Sequence, residues 1–253
     1  ESSMMKRIKV KQINNHIWLL NDNDESTGYL VTGSERGLII DTMTGYGNVR
    51  KVAEEITDFP LTVVNTHGHP DHIYGNVYFE KVYIHPADIP VAERFYQDPA
   101  FVAAIRQMNR QSAEFLTLTE GDVFDLGGLF LEVYELPGHT PGGIVLLDRK
   151  DRILFSGDSI LEQTWMQLPE CLPMEQFLAS LDKIQKMRGE FDYLLTGHNL
   201  ELVNASFCEV HRKAVWEVCV GIKDKDEPYS YFGGTCMAHP YGKEPRRIVY
   251  RER

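Results

Sequence analysis

The apolar run Leu61-Thr62-Val63-Val64 opens, through Asn65, onto Thr66-His67-Gly68-His69-Pro70-Asp71-His72, and this stretch constrains the chain most tightly. Three imidazoles and a carboxylate lie within six positions directly after a strand. Imidazole and carboxylate are ligands of zinc and its first-row neighbours. In extended backbone, residues two apart point the same way, so His67 and His69 can close on one ion. Pro70 then turns the chain, and Asp71 and His72 can face a second ion beside the first.

The remaining pattern says what could surround such a segment. Short strands are predicted at Arg7 to Ile13, His16 to Leu20, Gly28 to Thr32 and Gly37 to Asp41. A helix fits Asn48 to Thr57, with Val49, Val52, Ala53 and Ile56 on one face. Strand Lys81 to His85 precedes a helix-rich insertion of about residues 86–114, and three or four strands follow between Asp122 and Phe155. Met174 to Met187 repeats its apolar residues at helical spacing. Strand Tyr193 to Thr196, a long helix from about Asn204 to Ile222 and an irregular, Gly/Pro-punctuated end with a final strand at Arg247 to Tyr250 complete the reading. With no linker or repeat, one domain over 1–253 is the simpler organisation. The order predicts an α+β chain: two mixed sheets face to face with helices outside, an αββα sandwich.

Three further candidates sit at strand ends. His139 lies in Leu136-Pro137-Gly138-His139-Thr140, Asp158 follows Ile153-Leu154-Phe155 in Ser156-Gly157-Asp158, and His198 follows Tyr193-Leu194-Leu195-Thr196. Taken together, His67-x-His69-x-Asp71-His72, His139, Asp158 and His198 resemble the metallo-β-lactamase-fold hydrolase superfamily. The resemblance implies that His67, His69 and His139 bind one metal, that Asp71, His72 and His198 bind another, and that Asp158 bridges them. An Asp at the bridging point is similar to glyoxalase II-like and lactonase-like enzymes rather than to true β-lactamases, which carry Cys or Ser there. Leu161 stands where lactonases of this fold carry Tyr, three residues after the bridging Asp, which lowers that reading.

The function implied is a metal-dependent hydrolase of a small ester, thioester, lactone or amide. Two divalent ions, zinc first with manganese, iron or nickel as alternatives, would share a water and bring its pKa towards roughly 7. Asp71 and Asp158 are the candidates for proton relay. The competing reading is a non-hydrolytic metal-binding or redox/sensor member of the same fold. Thr66, Asn65, Thr140, Ser156 and Ser159 are placed to hold the ligands from behind. The insertion and the segment Glu227 to Arg247 are the expected pocket walls, with Phe95, Tyr96, Tyr229, Tyr231, Phe232 and His239 as lining candidates. His16, His85 and His211 read as structural or exposed, and Cys236 as a small buried side chain.

A net charge of −11 disfavours nucleic acid as partner and anionic substrates generally. No apolar run is long enough to span a bilayer, Glu1 to Arg7 lack the apolar segment of a secretory signal, and the four cysteines show no C-x-x-C pair. A cytoplasmic protein acting on a small molecule is the expectation.

Overall fold

The computed structural model describes residues 6–252; residues 1–5, where the secretory-signal reading mostly falls, lie outside the described residues. Seven strands form the first sheet in chain order: β1 (Ile8–Asn14), β2 (Ile17–Asp22), β3 (Ser26–Thr32), β4 (Gly37–Ile40), β5 (Leu61–Val64), β6 (Lys81–Ile84) and β7 (Glu114–Thr117). The first four are antiparallel, whereas β4 to β7 run parallel. Parallel neighbours require crossovers. These are α1 (Val49–Ile56), then α2 (Pro70–Ile73), then the pair α3 (Ile89–Tyr96) and α4 (Pro99–Gln107).

The second sheet begins with β8 (Val123–Asp125), β9 (Phe130–Glu135), β10 (Ile144–Asp148) and β11 (Ile153–Gly157). The next strand, β12 (Gln163–Met166), leaves it. After α5 (Met174–Gln185), β13 (Tyr193–Thr196) returns parallel to β11, and β14 (Val203–Asn204) closes the edge. Beyond α6 (Phe207–Val220), strands β15 (Glu227–Tyr231), β16 (Gly234–Pro240) and β17 (Arg247–Tyr250) join β12 in a third, four-stranded sheet.

Strand periodicity sorts the core into layers. Ile39 packs with Val49 and Ala53 of α1, while its neighbours Leu38 and Ile40 face the other sheet. Likewise Leu154 meets Phe177 and Leu181 of α5 and Ala214 of α6, while Ile153 and Phe155 fill the space between the sheets. Alternate residues of each central strand are thus buried on opposite faces, the pattern of a strand covered on both sides. The αββα sandwich anticipated from the sequence is the observed fold, with a third sheet added.

Two boundaries differ from expectation. Glu114 does not close the helical insertion; it opens β7, where Glu114 N–H donates to the Glu80 carbonyl at 2.8 Å. Nor is the C-terminal segment irregular throughout, since β15 and β16 form a hairpin within it. Gly233 lies in the turn and Gly234 opens β16 opposite Tyr231, and Pro228 is tolerated because β15 is an edge strand.

Candidate metal centre

All seven sequence-predicted ligands come together at one edge of the sandwich. His67 and His69 lie in the loop after β5, and Asp71 and His72 follow on α2, whose first residue is Pro70. His139 precedes β10, Asp158 follows β11 and His198 follows β13. The potential ligand atoms of His67, His69 and His139 lie within 4.8 Å of one another, as do those of Asp71, His72, Asp158 and His198. One atom reaches both groups. Asp158 Oδ2 is 3.0 Å from His198 Nε2, 3.2 Å from His72 Nε2, 3.7 Å from His67 Nε2 and 3.9 Å from His139 Nε2. Asp71 Oδ2 stands 3.4 Å from both His72 Nε2 and His198 Nε2.

Hydrogen bonds on the outer side of the rings determine what points inward. His139 Nδ1 is 2.6 Å from the Trp165 carbonyl, an obligate acceptor, so that nitrogen carries the proton. His69 Nε2 faces Glu170 Oε2 at 2.6 Å, and His72 Nδ1 faces Asp41 Oδ2 at 3.1 Å, with the same consequence. The Thr66 hydroxyl donates to Asp41 Oδ2 and so accepts from His67 Nδ1 at 2.9 Å. In the neutral rings the remaining nitrogens are lone pairs. His69 Nδ1 and His139 Nε2 then face each other at 3.0 Å, and His67 Nε2 is buried with no hydrogen-bond partner. Converging lone pairs repel unless a cation lies between them. Asp158 Oδ1 is likewise buried without a partner. The donor set fits divalent metal ions.

Charge within the site is arranged accordingly. Burial holds His67 well below the usual histidine range and lowers His139 to about 4, keeping both as neutral ligands. Burial also opposes charge on His72, but Asp158, Asp71 and Asp41 outweigh it and raise its pKa. Burial opposes ionisation of Asp158 too, and His198 and His72 overcome it, holding the carboxyl well below its ordinary range. Backbone approach is close here: a Cβ on Gly197 would stand 2.1 Å from Asp158 Oδ1 and 2.7 Å from His72 Cε1.

Several supporting residues escaped sequence reasoning. Asp41 accepts from Thr66 N–H at 2.7 Å as well as from His72, and it follows β4 just as Asp158 follows β11. That shared strand-end position was the available signal. Asp88 joins the two ligand loops, accepting from Gly68 N–H, Thr140 Oγ1 and Gly142 N–H at 2.8, 2.7 and 2.6 Å. Glu170 had no local signal, being distant in sequence from the histidine it holds. Of the anticipated partners, Thr66 meets a ligand ring, Asn65 donates to the His72 carbonyl at 3.2 Å and Thr140 acts through Asp88, whereas Ser156 Oγ is buried without a partner.

A cavity of about 780 Å³ opens beside Asp158, His69, His139 and His198. Arg94 and Phe95 of α3 and Phe232 and Pro245 of the C-terminal segment line it, as does Leu161. His239 does not: it is buried, with Nδ1 on Asp226 at 2.6 Å and Nε2 3.4 Å from Glu217. Tyr96 is also turned inward, bonding Asn76 at 2.9 Å.

The metallo-beta-lactamase superfamily model matches residues 22–198, from β2 through the last of the seven ligand positions. The chain belongs to the metallo-beta-lactamase superfamily. Human acyl-coenzyme A thioesterase MBLAC2 is 29% identical over 199 residues, covering 67% of this chain and 71% of that protein. The uncharacterized protein Rv2581c of Mycobacterium tuberculosis is 30% identical over 146 residues, covering 50% and 63%. Among solved structures, DIM-1 metallo-beta-lactamase superimposes with a TM-score of 0.64 at 17% identity, covering 84% of this chain and 98% of that one. A double mutant of the sec-alkyl sulfatase PisA1 gives 0.67 at 14% identity, over 83% and 42%. These structural likenesses speak for the superfamily fold alone. Among the described residues no helix is long and apolar enough to cross a membrane.

Proposed function

We propose that the protein is a dinuclear metal-dependent hydrolase acting on acyl thioesters. The observation carrying the dinuclear reading is the position of Asp158 Oδ2, within 4 Å of imidazoles from both ligand groups. In this reading His67, His69 and His139 hold one ion and Asp71, His72 and His198 the other, with Asp158 between. Two divalent ions held there, zinc foremost, would supply a nucleophile deprotonated near neutral pH and positive charge for a developing oxyanion.

The chain's own groups set the geometry and handle protons. Glu170, the Trp165 carbonyl, Thr66 and Asp41 fix ring orientation, so little reorganisation accompanies reaction. Asp71, whose side chain is 36% exposed, stands where it can exchange a proton between the site and solvent. Asp158 is nearly covered and keeps its charge through His198 and His72.

Thioesters are favoured over alkyl esters and amides on two grounds. A thiolate, with a free-thiol pKa near 8.5, departs with little need of a proton. Similarity to an acyl-coenzyme A thioesterase extends over 67% of this chain, well beyond the ligand motif. The net charge of −11 leads us to favour neutral thioesters over polyanionic ones.

The test is a panel of thioesters, aryl esters, lactones, β-lactams and phosphodiesters, run on metal-quantified protein. Thioesters should show the highest kcat/KM. Preference for another class would overturn the substrate assignment, and inactivity of fully metal-loaded protein on every class would favour the non-hydrolytic reading.

A further inference from the structure

The side chains of one wall of the cavity take no part in the chemistry above. That wall is apolar, with Phe95, Leu161, Trp165, Leu168 and Phe232 among its residues. Arg94 and Glu170 border it but bind one another at 2.9 Å, so that this wall presents compensated charge. Trp165 and Phe232 both come from the third sheet, Trp165 from β12 and Phe232 from the turn between β15 and β16. The superfamily model matches residues 22–198, and Phe232 lies outside that span.

Phe232 is 87% exposed even though its ring centroid lies 5.8 Å from Trp165 and 5.4 Å from Tyr231. An exposed phenyl ring at the rim of an apolar cavity gains by covering an apolar ligand, in proportion to the area removed from water. Trp165 has a second role. Its backbone carbonyl holds His139, while its side chain meets the aromatic rings of the hairpin. The apolar wall and the ligand group therefore share one residue.

We infer that the third sheet builds a subsite for an apolar acyl chain, which lies against Trp165 beneath Phe232 with its carbonyl towards Asp158. This assignment rests on the acyl-thioester reading of the centre and deepens it. Phe232 is the residue that makes affinity depend on chain length.

The test separates binding from turnover. S-alkyl thioethers of N-acetylcysteamine (methyl, octyl and dodecyl) lack the scissile carbonyl and would be titrated calorimetrically into metal-reconstituted protein and Phe232→Ala. Affinity for the parent protein should rise with alkyl length, with a negative heat-capacity change for the dodecyl compound. Phe232→Ala should weaken the dodecyl compound about tenfold and leave the methyl compound unchanged. With the matching thioesters, the variant should raise KM for dodecanoyl about tenfold more than it changes KM for acetyl. Affinity independent of length in the parent, or equal weakening along the series in the variant, would overturn the subsite. Length-dependent binding without turnover of any thioester would support the subsite and overturn the hydrolase reading instead.

Discussion

The two sides of the cavity are held in different ways. On the ligand side His69 is gripped by Glu170, His139 by the Trp165 carbonyl and His72 by Asp41, all in buried surroundings. On the third-sheet side, Phe232 meets the rings of Trp165 and Tyr231 and is otherwise largely open to solvent. Directional bonds fix position, whereas apolar contact tolerates many shapes. On the proposed reading, the first side carries the chemistry and the second the choice of substrate.

Four predictions press on that division. The largest effect belongs to Asp158→Ala. Removing the group between the two ligand sets should lower kcat/KM on the best thioester by on the order of 10²–10³. The circular dichroism spectrum should stay that of a folded protein, since the layers are packed by residues such as Phe155, Phe177 and Ile40. Near-normal turnover would place the chemistry elsewhere.

Glu170→Gln should act through His69. The substituted amide can still accept a hydrogen bond but carries no charge, so metal affinity should fall about tenfold to a hundredfold. Chelator competition would read this, while kcat at saturating metal should recover most of the parent value. An unchanged affinity would leave Glu170 with no part in holding the metal through His69.

A pH effect should mark the joint between the third sheet and α6. His211 is fully buried, 2.9 Å from the Thr164 hydroxyl of β12, and burial lowers its pKa to about 3. A histidine depressed in the folded state binds its proton more readily when unfolded. Its contribution is therefore complete above the unfolded value near 6.5 and is lost as pH falls from there towards 3. Melting curves should show His211→Asn with a flatter fall in Tm than the parent over that interval. Parallel curves would remove His211 from the account of acid sensitivity.

The smallest effect should be on stability in Phe232→Ala. With the ring so exposed, its removal should change unfolding free energy by within about 0.5 kcal/mol and leave metal content untouched. A larger loss would mean that the hairpin tip supports the fold as well as the substrate.

Legibility from sequence followed the same division. The seven ligand positions could be read because they cluster in the segments that leave β5, β9, β11 and β13, and because imidazole and carboxylate have few other reasons to gather there. The layers follow from Leu38-Ile39-Ile40 and Ile153-Leu154-Phe155, runs apolar at every position, as strands covered on both faces must be. Glu170 could not, because a long-range contact to His69 leaves no periodic trace. The C-terminal hairpin was missed because Gly233-Gly234 resembles an irregular break, and β15 is largely exposed at a sheet edge, so that no apolar run marks it. His239 looked like a wall residue from its place in that segment, yet Asp226 and Glu217 hold it inside.

The central claim is that Asp158 stands between two metal ions. Crystals of zinc-reconstituted protein, measured with anomalous diffraction at the zinc edge, would test it most directly. The account predicts two peaks, one contacted by His67, His69 and His139 and the other by Asp71, His72 and His198, with Asp158 touching both. A single peak at full zinc occupancy, with His72 and His198 left unliganded, would contradict it.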